Sequence, residues 1–184
     1  MANKHILSLE VSAVSNCEIL CIKDTSQYTS DLEIDCEELL ITPPGFNSPT
    51  LIKVQHGFDL CLNSCAIGVQ QDGCGDHRGT IADGIYIIRY SVSPTDKVYV
   101  EYNHLRVTSL LAKYYNVLCE IDMKPCAPSS ERAQLIDELS YIKTLIDAAV
   151  AKVEYCSSPN KGMELYNYAK KRLDKIDCSS SICC

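Results

Sequence analysis

The sequence predicts an α+β chain: an N-terminal antiparallel β-sandwich followed by a helix and a C-terminal helical hairpin. Three observations predict this. Apolar residues alternate with period 2 in short runs, separated by turn residues, as far as residue 103. From His104 the apolar spacing changes to 3 and 4, which is helical. Proline-containing breaks at "KPCAPSS" and "CSSPN" then divide the helical part into three. The expected organisation is a β-sandwich domain over 1–103, a helical region over 104–177 made of a linking helix and a helical hairpin, and a flexible tail over 178–184.

In chain order, Leu7, Leu9, Val11 and Ala13 alternate with more polar neighbours, and Cys17, Ile19 and Cys21 do so after "SN", which predicts two early strands. "DTSQYTSD" is a polar connection. "LEIDCEELLIT" reads as a strand ending at Pro43-Pro44-Gly45, with a helical turn left open by its glutamates. "TLIKVQ" and "FDLCLN", separated by His56-Gly57, read as a hairpin. The Gly-rich stretch from Ser64 to Ala82 has few periodic apolar residues and reads as a long surface loop, the kind of segment that carries function.

The segment "DGIYIIRYSVSPTDKVYVEYNHLRV" is the most regular. Tyr86, Ile88, Tyr90 and Val92 share one face of a strand, and Ile85, Ile87, Arg89 and Ser91 the other. Pro94 suits the second position of a type I turn, after which Val98, Val100 and Tyr102 return antiparallel on the apolar side. Tyr86, Tyr90 and Tyr102 are therefore expected in the core. The opposite face mixes Ile87 and Tyr99 with Arg89 and Glu101, so it is either partly covered by the same chain or a surface for another protein. Beyond the ribbon, Val107, Leu110, Leu111, Tyr114 and Leu118 mark the first helix, predicted to start at His104. Ser129 or Ser130 is a ready N-cap for the second, whose buried face is Leu135, Leu139, Ile142, Ile146, Ala149 and Val153. Met163, Tyr166, Ala169 and Leu173 give the third its stripe. The candidate contact residues are Arg89 and Tyr99 on the mixed face, His104 and Arg106 at the strand-to-helix junction, Tyr114 and Tyr115 on the first helix, and Tyr166 on the third.

Composition narrows the function. With 184 residues, 46% hydrophobic and 22% charged, the chain can bury its own core. A net charge of -7 argues against a nucleic-acid-binding surface, and the Lys170-Lys171-Arg172 run reads as a solvated helix face. The N-terminus has no signal-peptide hydrophobic region, and no run is long enough to span a membrane. A reducing, cytosol-like compartment is the expectation, where twelve cysteines are buried thiols or metal ligands more often than disulfides.

The sequence offers no phosphate loop, nucleophile elbow, HExxH or CxxC. The carboxylates of "DLEIDCEE" repel one another on one strand face and belong in solvent. The single set with ligand logic is Cys61, Cys65, Cys74 and His77, three thiolates and an imidazole able to surround a tetrahedral zinc and order the loop. It defines an alternative function, a zinc-stabilised protein-binding module using the 61–82 loop. Cys17 and Cys21, on one strand face, read as small core hydrophobes. No catalytic residue and no cofactor is expected.

"IADGIYIIRYSVSPTDKVYVEYNHLRV" (81–107), "AKVEYC" (151–156) and "KGMELYNYAKKRLDKI" (161–176) resemble ring-forming tail and neck structural proteins of crAss-like tailed bacteriophages, which infect Bacteroidetes. The resemblance is good from about residue 81 onward and loose over the first strands. The chain departs from it at Ala82, where the family pattern has proline, and in the Gly-rich loop. What the resemblance implies is a non-enzymatic virion protein, assembled in the host cytoplasm. It would be a subunit of a homo-oligomeric ring, bound to the portal and other tail or neck proteins, with DNA only as passing cargo and no membrane contact. A ring subunit needs two different complementary patches, and an acidic chain makes few phosphate contacts with DNA that must slide past.

Overall fold

The computed structural model describes residues 6–13, 18–28, 37–63, 82–93, 97–123 and 129–176. Within them the chain is mixed α+β, with β1 (Leu9–Ala13), β2 (Glu18–Asp24), β3 (Glu38–Thr42), β4 (Thr50–Lys53), β5 (Asp59–Asn63), β6 (Gly84–Ser93) and β7 (Val98–Arg106) preceding α1 (Thr108–Met123), α2 (Ser129–Glu154) and α3 (Pro159–Asp174). The strands form two antiparallel sheets, ordered β1-β2-β5 and β4-β3-β6-β7. Two compact units result, Met1–Arg106 and Val107–Cys184.

The boundary lies three residues beyond the expected one because β7 continues through the predicted helix start. Gly84, Ile85 and Tyr86 on the ten-residue β6 pair with Arg106, Leu105 and His104. Available ladder partners outweigh helical periodicity there, so His104 is a strand residue and the helix begins only at Thr108.

Both sheets feed one hydrophobic cluster. Leu20, Ile22 and Leu62 come from the first sheet, and Leu39, Ile41, Tyr86, Ile88, Tyr90 and Val92 from the second. The alternation of β6 thus has the consequence the sequence predicts: Tyr86 and Tyr90 are fully buried, while Tyr102, on the edge strand β7, packs against the cluster only partly buried. Each fully buried aliphatic side chain of this kind stabilises the fold by about 1.5–3 kcal/mol.

One predicted pairing is overturned. Residues 50–53 and 59–63 do not form a hairpin around His56-Gly57. β4 pairs with β3, whereas β5 pairs with β2 in the other sheet. Residues 54–58 instead cross between the sheets. Val54 N–H donates to the Glu37 carbonyl at 3.2 Å at one end, and Asp24 N–H donates to the Phe58 carbonyl at 2.8 Å at the other. Gly57, at φ 79°, takes the left-handed conformation that this tight crossing requires. Alternation alone cannot distinguish a hairpin from a crossing, since both strands keep the same period.

In the second unit the 3.6 period is carried through. Leu110, Tyr114, Val117 and Ile121 of α1 are buried, as are Leu139, Ile142, Leu145, Ile146, Ala149 and Val153 of α2. Pro159 opens α3 where a missing N–H costs nothing. Its buried residues are Gly162, Tyr166, Ala169 and Leu173, with Gly162 in place of the expected Met163. A Cβ at Gly162 would collide with the Val153 side chain and stand 2.8 Å from the Ala149 carbonyl oxygen, so glycine sets how closely α3 approaches α2. Lys113 of α1 and Asp174 of α3 form an ion pair.

Candidate interaction surfaces

The mixed face of β6 and β7 lies on the side of the four-stranded sheet away from the cluster. Register places Leu51, Leu40, Arg89 and Glu101 in one row across the four strands, and Thr42, Ile87 and Asn103 in the next. Leu51, Ile87 and Tyr99 are 48%, 39% and 46% exposed, too much for core positions. Singly exposed apolar side chains are ordinary, but these share one sheet face. Tyr99 lies over Arg89, whose guanidinium carbon sits 3.7 Å from the ring centroid, a cation–π stack that holds both side chains in place. Beneath them, Arg89 Nε and Asn103 Oδ1 are buried without a hydrogen-bond partner among the described residues. A buried donor and a buried acceptor left unused cost free energy unless something meets them.

A second feature sits at the crossing between sheets. Asp24, buried at the end of β2, accepts from Tyr28 Oη at 2.5 Å and Gly57 N–H at 2.8 Å through Oδ2, and from Ser26 N–H at 2.9 Å through Oδ1. Tyr28 has one proton and gives it to the carboxylate, so at the 2.7 Å Tyr28–Tyr90 contact the Tyr90 hydroxyl is the donor. Burial pushes the Asp24 carboxyl up, but these hydrogen bonds outweigh it and hold the group below its ordinary 3.8. Burial, followed by the negative Asp24, raises Tyr28 to about 12. Burial, followed by donation to Tyr28, raises Tyr90 as well. The Phe58 ring packs edge-on against Tyr90 with centroids 5.1 Å apart. His56, on the same crossing, is fixed by Glu37 Oε1, which accepts its backbone N–H at 2.8 Å and lies 2.9 Å from Nδ1. The open depression beside it, about 380 Å³, is lined among the described residues by the run from Lys53 to Leu60, one continuous stretch that does not surround a ligand. The arrangement fixes an anion and keeps two phenols protonated, which suits locking the crossing rather than moving protons. Its signal in the sequence is Asp24 two residues before Ser26, an Asx-turn pattern; nothing local pointed to Tyr90 or Gly57.

The other candidate contact residues divide by exposure. Tyr115 is 52% exposed, with its ring edge-on to Tyr114 at 5.2 Å. His104, Tyr114 and Tyr166 are buried inside this chain, so they are corrected from contact residues to internal ones. For Tyr114 and Tyr166 the reason is the helical stripe, which puts them in line with Leu110 and Leu173. For His104 it is pairing with Tyr86. Arg106, also expected at a contact, is mostly buried and donates to Asp83 at 3.0 Å. The helical unit has a surface cluster of its own that the sequence reading left out. Arg172 binds Glu138 through both carboxylate oxygens, at 2.7 and 2.6 Å, and donates to Tyr168 Oη at 2.8 Å. Its guanidinium also lies 4.8 Å from the Tyr141 ring centroid, and Tyr141 and Tyr168 are 44% and 43% exposed.

The zinc set loses a member. Cys61 stands opposite Cys21 in the β2–β5 register and is disulfide-bonded to it, so neither is a free thiolate or an isolated core hydrophobe. The expectation of reduced cysteines fails at this pair because the antiparallel register brings together two residues 40 apart in sequence. Cys65, Cys74 and His77 lie outside the described residues, as do Pro94, Cys17 and the tail over 178–184. Among the described residues, no group of three or more His, Cys, Asp or Glu is placed to hold a metal, and no helix is long and apolar enough to cross a membrane. No protein-family model, no curated protein and no solved structure matches the chain.

Proposed function

We propose that the chain is a structural subunit of an oligomeric ring in the tail or neck of a tailed bacteriophage, working by assembly rather than by catalysis. In this reading the two sheets act as a sandwich that builds the ring wall. The α2–α3 pair acts as a helical hairpin reaching a neighbouring layer, and the portal and other tail proteins are the partners. The likeness of residues 81–107 and 151–176 to the ring-forming tail proteins supports it.

The observation that carries the reading is the outer face of the β4-β3-β6-β7 sheet. It offers exposed Leu51 and Ile87, an ordered Arg89–Tyr99 stack, and two buried polar atoms with no hydrogen-bond partner among the described residues. Tyrosine and arginine held rigid beside apolar side chains are what partner surfaces use, since little conformational entropy is lost on contact. The test is assembly of the purified chain with Ile87→Glu and Tyr99→Ala introduced. Both positions are exposed, so the fold is expected to survive while oligomers disappear; oligomers unchanged in both variants would remove this face from the account. The zinc-module alternative gains nothing from the structure, because Cys61 is taken by Cys21.

A further inference from the structure

The outer face of the three-stranded sheet carries the disulfide. Leu20, Ile22 and Leu62 point into the hydrophobic cluster, so Cys21, between the first two, and Cys61, beside the third, stand on the opposite side. Register puts Ser12, Cys21 and Cys61 in one row across β1, β2 and β5, and Glu10, Lys23 and Asp59 in the next. Among the described residues β5 is an outer strand of this sheet. The Cys21–Cys61 bond therefore ties an edge strand to its neighbour, with Cys61 exposed and Cys21 half-buried.

The strand pair does not depend on the bond for its alignment. Leu20, Ile22 and Leu62 are buried, Asp24 N–H donates to the Phe58 carbonyl at 2.8 Å, and the Asp24 carboxylate accepts from Gly57 N–H at 2.8 Å. Core burial and these hydrogen bonds fix the register, and the register by itself sets the two sulfurs face to face. Exposure is not what oxidises them, since Cys156 is exposed and a free thiol. Opening or closing the bond is thus a change at two sulfur atoms on a strand pair that other contacts hold together.

We infer that Cys21–Cys61 is a thiol–disulfide exchange site, opened in the folded chain by a dithiol that attacks Cys61 and closed again by the corresponding disulfide. Access selects Cys61, because the incoming thiolate has to reach the sulfur it attacks, and exposed disulfides are the labile ones. Charge agrees. Lys23 stands two residues along from Cys21 on the same face and Asp59 two from Cys61, so the sulfur that leaves as an anion is better placed at Cys21. In the first step the reagent's thiolate bonds to Cys61 Sγ, the Cys21–Cys61 bond breaks with its electron pair on Cys21, and Cys21 takes a proton from water. In the second, the reagent's other thiol gives its proton to water and bonds to the reagent's first sulfur, and Cys61 leaves as a thiolate and is protonated. The chain gains two electrons and two protons, and the reagent departs as its disulfide. Such a site lets the surroundings set the stability of the sheet unit after it has folded, and it stands apart from the assembly reading.

The experiment treats the oxidised full-length chain in native buffer with dithiothreitol, and resolves its twelve cysteines by differential alkylation and mass spectrometry. Cys21 and Cys61 should become alkylatable at a rate proportional to reagent over about a hundredfold range, and within about tenfold of the rate in urea. Far-ultraviolet circular dichroism should stay unchanged on reduction, and oxidised glutathione should restore the same pair. Brief treatment with reduced glutathione, a monothiol, should leave its adduct on Cys61. A rate that does not rise with dithiothreitol would mean that the bond is reached only through unfolding, and would overturn the inference. Loss of the circular dichroism signal on reduction would overturn it too, since the bond would then be needed for the fold. An adduct on Cys21 alone would overturn the assigned point of attack. None of these results bears on association, so the assembly reading stands or falls separately.

Discussion

Asp24→Ala is the perturbation whose cost can be worked most directly from the structure. The substitution removes the acceptor of three hydrogen bonds, but their losses differ. Gly57 is exposed and Ser26 half-buried, so their N–H groups can turn to water. The Tyr28 hydroxyl, 2.5 Å from the carboxylate, has the fully buried Tyr90 hydroxyl behind it and cannot do so as freely. A hydrogen bond to a charged group contributes about 1.5–3 kcal/mol, so Asp24→Ala should cost about 2–3 kcal/mol. Tyr28→Phe should cost about 2, because it strips the same bond and leaves the buried Tyr90 hydroxyl without an acceptor. Tyr90→Phe, which removes the donor and leaves no buried donor unused, should cost about 1. Urea unfolding followed by far-ultraviolet circular dichroism is the assay, since the chain has no tryptophan. A change below about 0.5 kcal/mol for Asp24→Ala, the size of an ordinary surface substitution, would refute the claim that this network locks the crossing. The order of the three variants is a second check, independent of their absolute size. Acid adds a third. With its folded pKa below the ordinary 3.8, Asp24 contributes fully above pH 3.8, and the contribution is lost as pH falls through the folded value. Asp24→Asn should therefore flatten the stability curve in that range.

Gly162→Ala sets helix propensity, a gain of about 1 kcal/mol, against overpacking on the Val153 side chain and the Ala149 carbonyl; with backbone on one side the clash should win, a net loss of about 1–2 kcal/mol read by thermal unfolding. Closing the 40-residue separation between Cys21 and Cys61 should stabilise the oxidised chain by about 4 kcal/mol in the chain-entropy account. Reductant should then lower the wild-type urea midpoint and leave Cys21→Ser/Cys61→Ser unmoved, whereas equal midpoints with and without reductant would exclude the bond. On raising the pH, Tyr28 favours the fold fully below pH 10, its ordinary value, and the contribution fades as pH climbs through about 12. Absorbance at the tyrosinate band should thus keep a component, from Tyr28 and Tyr90, that rises only well above pH 10, and complete ionisation of the tyrosine signal by about pH 10 would contradict the buried network.

Much of the fold was legible because it is periodic. Alternation in β6 placed Tyr86 and Tyr90 inside, that in β7 placed Tyr99 outside, and the 3.6 spacing of Leu139, Ile142, Ile146 and Val153 gave α2 its buried face. The same periodicity puts Tyr114 and Tyr166 inside too, since position on the stripe outweighs the affinity of tyrosine for partner surfaces. What stayed illegible is non-local. Whether residues 50–63 turn back or cross, and that Cys21 meets Cys61, depends on which strands pair, and period 2 does not encode partners. The Asp24 network joins residues up to 66 positions apart, counting Asp24 to Tyr90, so only its Asx-turn was visible locally. The Tyr141–Arg172–Tyr168 cluster was hidden for the same reason: two helices contribute to it, and its lysine-rich run on its own looks like any solvated face.

Native mass spectrometry of the full-length chain over a wide concentration range tests the central proposal, that this protein acts by assembling. A single closed oligomer, at a fixed multiple of 20.4 kDa and broken by Ile87→Glu, is the predicted outcome. A lone 20.4 kDa species at every concentration, alone and with portal or tail proteins added, would contradict it.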